Sequence, residues 1–166
     1  MAYKILAVDD EVNNLKLIKG FLAKSGYDVI IAEDGVQAWE ILKESPTDID
    51  LLLTDRMMPN MDGMELVAKV KQHPEMKYIP IIMQTASAQK EQIVEGFKAG
   101  VYYYLTKPFD AMVLVSIINA AISDVQAQEA LYKEVVEYKK IQTLVERCDF
   151  HFSSFEDVQG LTVYLS

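Results

Sequence analysis

The chain has 166 residues, 51% of them hydrophobic and 25% charged, and carries a formal net charge of −9. That balance fits one compact domain with an appendage and excludes a fibrous or disordered chain. The 16 lysines and arginines are scattered among 25 acids, which leaves no cationic footprint for a phosphate backbone, so direct nucleic-acid binding is not expected. Met1 to Asp10 lack the basic, apolar and small-residue regions of a secretory leader. No apolar run approaches the roughly 20 residues needed to span a bilayer, so a cytoplasmic protein without a membrane segment is expected. The single cysteine, Cys148, cannot form an internal disulfide, and with only His151 nearby it reads as a plain tail position rather than a metal site.

Along the chain, short apolar runs at Ile5–Val8, Val29–Ala32, Leu51–Thr54, Ile79–Met83 and Tyr103–Thr106 read as strands. Several are continuously apolar, which is how strands covered on both faces by helices look. Between them lie helix-length segments at Asn13–Lys24, Asp34–Glu44, Asp62–Gln72, Ser87–Lys98 and from Asp110 onward, each able to cross over between parallel strands. Asp62 with Glu65 and Asp34 with Gln37 have capping-box spacing, and Gly26 and Gly100 stand where helices should stop. The pattern predicts an α/β fold: a flavodoxin-like (βα)5 three-layer sandwich with a parallel sheet in the order 2-1-3-4-5. No G-x-G-x-x-G follows the first strand. In that strand order the topological switch lies between strands 1 and 3, so a ligand crevice should open at their C-terminal ends.

The polar residues at those ends are Asp9, Asp10 and Glu11 after strand 1, Asp55 at strand 3, Thr85 at strand 4 and Lys107 at strand 5. Crowding Asp9, Asp10 and Asp55 together is costly without compensation, because neighbouring carboxylates raise each other's pKa, and a divalent cation removes the penalty. All-oxygen ligands select a hard ion, and a small carboxylate site with room for phosphoryl oxygens suits Mg²⁺ better than Zn²⁺. Asp55 is then the natural nucleophile, giving an acyl phosphate, with Lys107 and Thr85 placed to hold the phosphoryl oxygens.

Val8-Asp9-Asp10-Glu11, Thr54-Asp55-Arg56-Met57-Met58-Pro59, Asp62-Gly63, Gln84-Thr85-Ala86 and Ala99-Gly100 through Tyr104-Leu105-Thr106-Lys107-Pro108-Phe109 resemble, in this order, the motifs of the receiver domains of two-component response regulators, over about residues 1–124. The resemblance implies a phosphorylation-dependent signalling switch that accepts its phosphoryl group from a sensor histidine kinase or a phosphotransfer protein. It implies that Asp55 is the phosphoacceptor, that Asp10 and Asp55 bind Mg²⁺ directly, that Asp9 does so mainly through water, and that the backbone carbonyl of Met57 completes the protein ligands. Thr85 and Tyr104 would be the switch pair, the hydroxyl moving toward the phosphoryl group and the ring turning into the space it leaves. The chain would not be an enzyme in the ordinary sense, but would catalyse its own phosphoryl transfer and a slow dephosphorylation.

The Lys107–Pro108 bond is a candidate for the cis form. Tyr102-Tyr103 replace residues that are acidic in many relatives, making the strand 5 face more aromatic and favouring a protein contact there. Trp39 and the methionines read as core and gap filling. A flavodoxin-like cofactor protein is disfavoured because Asp-Asp-Glu after strand 1 repels phosphate. An aspartyl-phosphate phosphatase would place a second acid where Met57 stands. A degenerate receiver acting purely as an interaction module is disfavoured because every residue of the acceptor chemistry is present.

Beyond the 1–124 receiver, residues 125–148 read as an extension of helix 5. Ala127, Leu131, Val135, Tyr138, Ile141 and Val145 recur at helical spacing with no Gly or Pro to interrupt them. Such a stripe calls for a partner, and the expectation is a two-fold homodimer through this helix. In residues 149–166, Phe150 and Phe152 alternate like a short strand, and Ser153 with Glu156 would cap a helix carrying Phe155, Val158, Leu161 and Leu165. This strand-helix segment is expected to be the truncated start of an output domain and weakly resembles the opening of anti-sigma-factor-type histidine-kinase-like ATPase domains.

Overall fold

The structure is a computed structural model that describes residues 2–86 and 89–153, with the side chains of those up to Val145. Five strands, β1 (Lys4–Val8), β2 (Asp28–Ala32), β3 (Leu51–Asp55), β4 (Ile81–Thr85) and β5 (Tyr103–Thr106), alternate with five helices. The helices are α1 (Val12–Lys24), α2 (Gly35–Glu44), α3 (Gly63–Gln72), α4 (Lys90–Ala99) and α5 (Ala111–Ser153). All strand pairs are parallel and the order is β2-β1-β3-β4-β5, the flavodoxin-like arrangement expected from the sequence.

The continuously apolar strands are buried on both faces because successive side chains point to opposite sides. Leu6, Val8, Leu52, Ile81 and Met83 face a core closed by Ala38 and Leu42 of α2 and Leu66, Val67 and Val70 of α3. Ile5, Ala7, Leu53, Ile82 and Leu105 face the opposite core, closed by Leu15, Ile18 and Leu22 of α1 and by Leu114, Ile118 and Ala121 of α5. All of these side chains are essentially sealed from water, which is where the domain's hydrophobic stabilisation resides.

Local signals set most boundaries. At α3 the capping box is complete: the Asp62 carboxylate accepts from the Glu65 N–H at 2.8 Å and the Glu65 carboxylate from the Asp62 N–H at 3.0 Å. At α2 only half of it forms as expected. Asp34 accepts from the Gln37 N–H, but the Gln37 carboxamide reaches past Asp34 to the Glu33 N–H at 2.6 Å. Gly26 and Gly100 take the left-handed conformation at the helix stops.

The boundaries depart furthest from the sequence expectation at β4, α4 and α5. β4 begins at Ile81 rather than Ile79, because Pro80 has no N–H to give a ladder; the Ile79 carbonyl instead accepts from the Lys71 ammonium at 2.8 Å. α4 begins at Lys90, and the expected start at Ser87 lies outside the described residues. α5 continues through Phe150 and Phe152, where a short strand was expected, because nothing between Arg147 and Ser153 breaks the helix and alternation over so few residues is a weak signal. The helix expected from Ser153 and Glu156 to Leu165 lies outside the described residues.

Another departure concerns the membrane expectation. Within Ala111–Val145, α5 holds an 18-residue window of mean hydropathy 1.3, long and apolar enough by length and composition alone to cross a bilayer. Leu114, Ile118, Ala121 and Ile122 account for much of that hydropathy, and they are buried as core residues against the sheet. The described residues fall into two units, one up to Val125 and one from Gln126 onward.

Candidate functional site

The site stands at the C-terminal ends of β1 and β3, the switch point of the sheet. β1 delivers Asp9 and Asp10 just past Val8, and β3 ends on Asp55. Carboxylate oxygens of Asp9, Asp10 and Asp55 lie within 4.8 Å of one another. β5 delivers Lys107, whose ammonium donates to the Asp9 carboxylate at 2.8 Å and to the Asp55 carboxylate at 2.8 Å. The bond between Lys107 and Pro108 is cis.

The three acids are not equivalent. Asp9 is fully buried, and besides Lys107 it accepts from the Asn14 side chain at 2.8 Å and the Glu11 N–H at 2.9 Å. Its oxygens are therefore already engaged by the fold. Asp10 is exposed. Asp55 is 9% exposed and accepts from the Arg56 N–H at 2.7 Å as well as from Lys107.

Burial pushes the Asp55 carboxyl above the ordinary range, with the nearby Asp9 charge adding to the effect, although the hydrogen bond and charge of Lys107 pull the other way. Burial alone would lower the Lys107 ammonium, but its bonds to Asp55 and Asp9 outweigh that and its pKa is raised. Negative charge is thus incompletely offset in this pocket. Three carboxylates with one ammonium and no nitrogen or sulfur ligand fit a hard divalent ion such as Mg²⁺.

Gly63, at the start of α3, lies against the back of this pocket. A β-carbon there would come within 2.2 Å of the Asp55 carbonyl oxygen, so only glycine allows the β3–α3 turn to close onto β3. Thr85 ends β4 and is buried at the same edge of the sheet. The Met57 side chain, two residues beyond Asp55, projects into solvent at 74% exposure. Tyr104 is not in the pocket. Its ring packs on α4, edge-on to Phe97 with centroids 5.4 Å apart, and its hydroxyl donates to the Gln92 carbonyl at 3.1 Å.

The sequence reading missed four residues around these. Asn14, in the first turn of α1, fixes Asp9; a polar residue one helical turn past an acidic strand end is a usable signal. Arg56 and Gly96 shape the approach to Tyr104. Gln84, which pairs with Asp55 in the sheet register, is fully buried with neither carboxamide atom finding a hydrogen-bond partner among the described residues, and the motif that contains it gave it no role.

Fold and site together define a class: a (βα)5 protein with an acidic, lysine-bridged pocket at the switch point of its sheet. The sequence model of the response regulator receiver domain matches residues 5–119, and the chain belongs to that family. It is 45% identical over 112 residues to the chemotaxis protein CheY1 of Helicobacter pylori, covering 67% of this chain and 90% of that protein. It is 32% identical over 147 residues to the transcriptional regulatory protein SrrA of Staphylococcus aureus, covering 86% of this chain and 59% of that longer one. Among solved structures, the chemotaxis protein CheY4 of Vibrio cholerae superposes with a TM-score of 0.70 at 30% identity, covering 73% of this chain and 99% of that one. The chain is a CheY-like receiver domain, a module of two-component signalling.

Proposed function

We propose that the protein is a phosphorylation-dependent switch in which Asp55 takes a phosphoryl group from the phosphohistidine of a sensor kinase or a phosphotransfer protein. The observation that carries this reading is the convergence of Asp55, Asp10, Asp9 and Lys107 from three strand ends into one pocket. A carboxylate oxygen of Asp55 forms the new O–P bond as the N–P bond to imidazole breaks, and the released imidazole takes up its proton from solvent.

Lys107 already lies on the Asp55 carboxylate and would follow it to hold a phosphoryl oxygen, and the Thr85 hydroxyl at the end of β4 would hold another. Asp10 and Asp55 would ligate Mg²⁺ directly, with the Met57 backbone carbonyl. Asp9, engaged by Asn14, Glu11 and Lys107, would act mainly through water. Bound there, Mg²⁺ supplies neutralisation of the charge that develops on the phosphoryl oxygens. Thr85 and Tyr104 form the switch pair. The solvent-exposed Met57 cannot orient an attacking water, which supports a long-lived acyl phosphate. A cytoplasmic location accords with a kinase-fed switch.

The second unit supports a homodimer. Leu131, Val135, Tyr138, Ile141 and Val145 of α5 are between 42% and 68% exposed and recur every three or four residues. In a parallel two-stranded coil with Val135 at an a position and Leu131, Tyr138 and Val145 at d, Glu134 falls at g and faces Lys139 at e of the second copy, an opposite-charge pairing. Incubation with acetyl phosphate and Mg²⁺, followed by intact mass, tests the switch: one added phosphoryl group, lost on mild alkaline treatment, is expected, and an unchanged mass overturns the reading.

A further inference from the structure

The residue after the phosphoacceptor, Arg56, does not join the acidic pocket. Its guanidinium, 12% exposed as a side chain, turns to α4, where one nitrogen donates to the Glu95 carboxylate at 2.8 Å. Another lies 3.5 Å from the Gln92 carbonyl, the same oxygen that accepts from the Tyr104 hydroxyl at 3.1 Å. On its way the side chain passes the Met83 sulfur at 4.0 Å. The residue just past β3 thus fastens two successive turns of α4 to the acceptor strand.

The Tyr104 ring is held at this place by shape as well as by hydrogen bonding. Gly96 leaves a notch in α4 where a β-carbon would sit 1.6 Å from the Tyr104 oxygen, and Phe97 closes one side edge-on. Burial raises the Tyr104 phenol, while the adjacent Arg56 charge opposes that rise.

Arg56 is bonded covalently to Asp55, and its own N–H donates both to the Asp55 carboxylate at 2.7 Å and to the Gln84 carbonyl at 3.0 Å. A displacement of the Asp55 carboxylate therefore acts on the backbone from which the guanidinium hangs. Tyr104 cannot leave its seat on α4 without giving up the Gln92 carbonyl that Arg56 also engages.

We propose that Arg56 is a positioning residue, a latch that pins α4 and the Tyr104 ring to the acceptor strand, so that switching must first release it. This rests on Asp55 being the phosphoacceptor, and it adds a brake: the side chain that sets how far the Tyr104-seated state is favoured. A latch of this kind holds down the population of the released state, and uptake that proceeds from that state speeds up in proportion as the latch is removed.

The test uses the full chain labelled with 3-fluorotyrosine, the Tyr104 signal being assigned with Tyr104→Phe, in Arg56→Met and Glu95→Gln backgrounds. Glu95 is exposed, so its neutralisation leaves the fold intact even if Arg56→Met does not fold. In both variants the Tyr104 fluorine resonance should move. The rate of phosphoryl uptake from acetyl phosphate should rise, by about fivefold in Arg56→Met, the lower end of ordinary coupling strengths. A resonance that stays in place, or a rate that is unchanged or falls, overturns the latch. If the unsubstituted chain takes up no phosphoryl group, the acceptor reading fails instead, while the resonance still reports whether Arg56 holds the ring.

Discussion

Leu114 and Ile141 belong to one helix and to one class of side chain, yet Leu114 is sealed in the core and Ile141 is 55% exposed. In the first unit the apolar stripe of α5 meets the sheet through Leu114, Ile118, Ala121 and Ile122. In the second unit a separate apolar stripe with the same spacing runs through Leu131, Val135 and Tyr138, and nothing among the described residues covers it. Periodicity thus specifies which side of a helix is apolar and says nothing about what will cover it. The chemistry is divided in the same way, since every group of the acceptor pocket lies before Val125.

The largest contrast to be expected is in phosphoryl uptake. Asp55→Asn should abolish the mass gain from acetyl phosphate completely, whereas ending the chain after Asp124 should leave it in place. Uptake persisting in Asp55→Asn, or vanishing in the shortened chain, would break the assignment of all chemistry to the first unit.

Next comes stability. Ile118→Ala opens a cavity in a sealed core and should cost about 2–5 kcal/mol in denaturant unfolding of the receiver, while Ile141→Ala, at protein concentrations too low for association, should stay within about 0.5 kcal/mol. Equal costs at the two sites would mean that the second stripe is covered after all. Light scattering supplies the complementary measurement: the full chain should be a dimer and the chain ended after Asp124 a monomer. A full chain that remains monomeric at high concentration removes the homodimer.

A smaller effect is expected on titration within the pocket. Lys107→Met removes the partner that holds the Asp55 carboxyl down, so the carboxyl, already above its ordinary 3.8, should titrate higher still in carbon-13 spectra. The sign for stability follows from the two directions. The folded Asp55 pKa is raised, so its favourable contribution is complete below 3.8 and is lost as pH rises through the folded value. Lys107 is also raised, so its pairing stabilises fully below 10.5 and is lost only as pH climbs through its higher folded value. Lys107→Met should therefore deepen the loss of stability on leaving acid pH. An Asp55 midpoint that falls would contradict the pairing. The smallest effect should come from Met57→Asn, which offers an amide where an attacking water could be oriented and should shorten the acyl phosphate lifetime severalfold; an unchanged lifetime would separate Met57 from dephosphorylation.

Much of this molecule is legible in one dimension because its signals are local. Short apolar runs, several of them apolar on both faces, identify five parallel strands, the Asp62 and Glu65 pair starts α3, and acids or lysine at the ends of strands 1, 3 and 5 must meet once the strand order is fixed. Where a local signal is short or outweighed, the reading slips. Pro80 moved the start of β4, and the alternation of Phe150 and Phe152 was overridden by uninterrupted helix. Other features have no one-dimensional signature, because they join residues far apart in the chain. Asn14 turning onto Asp9, Gly63 making room for the Asp55 carbonyl, Arg56 reaching Glu95 and Gly96 receiving Tyr104 each depend on the distance between two elements, which is set only when the helices pack on the sheet. The spacing of residues along a chain fixes which face each side chain takes, whereas the gap between faces comes from close packing of the whole core.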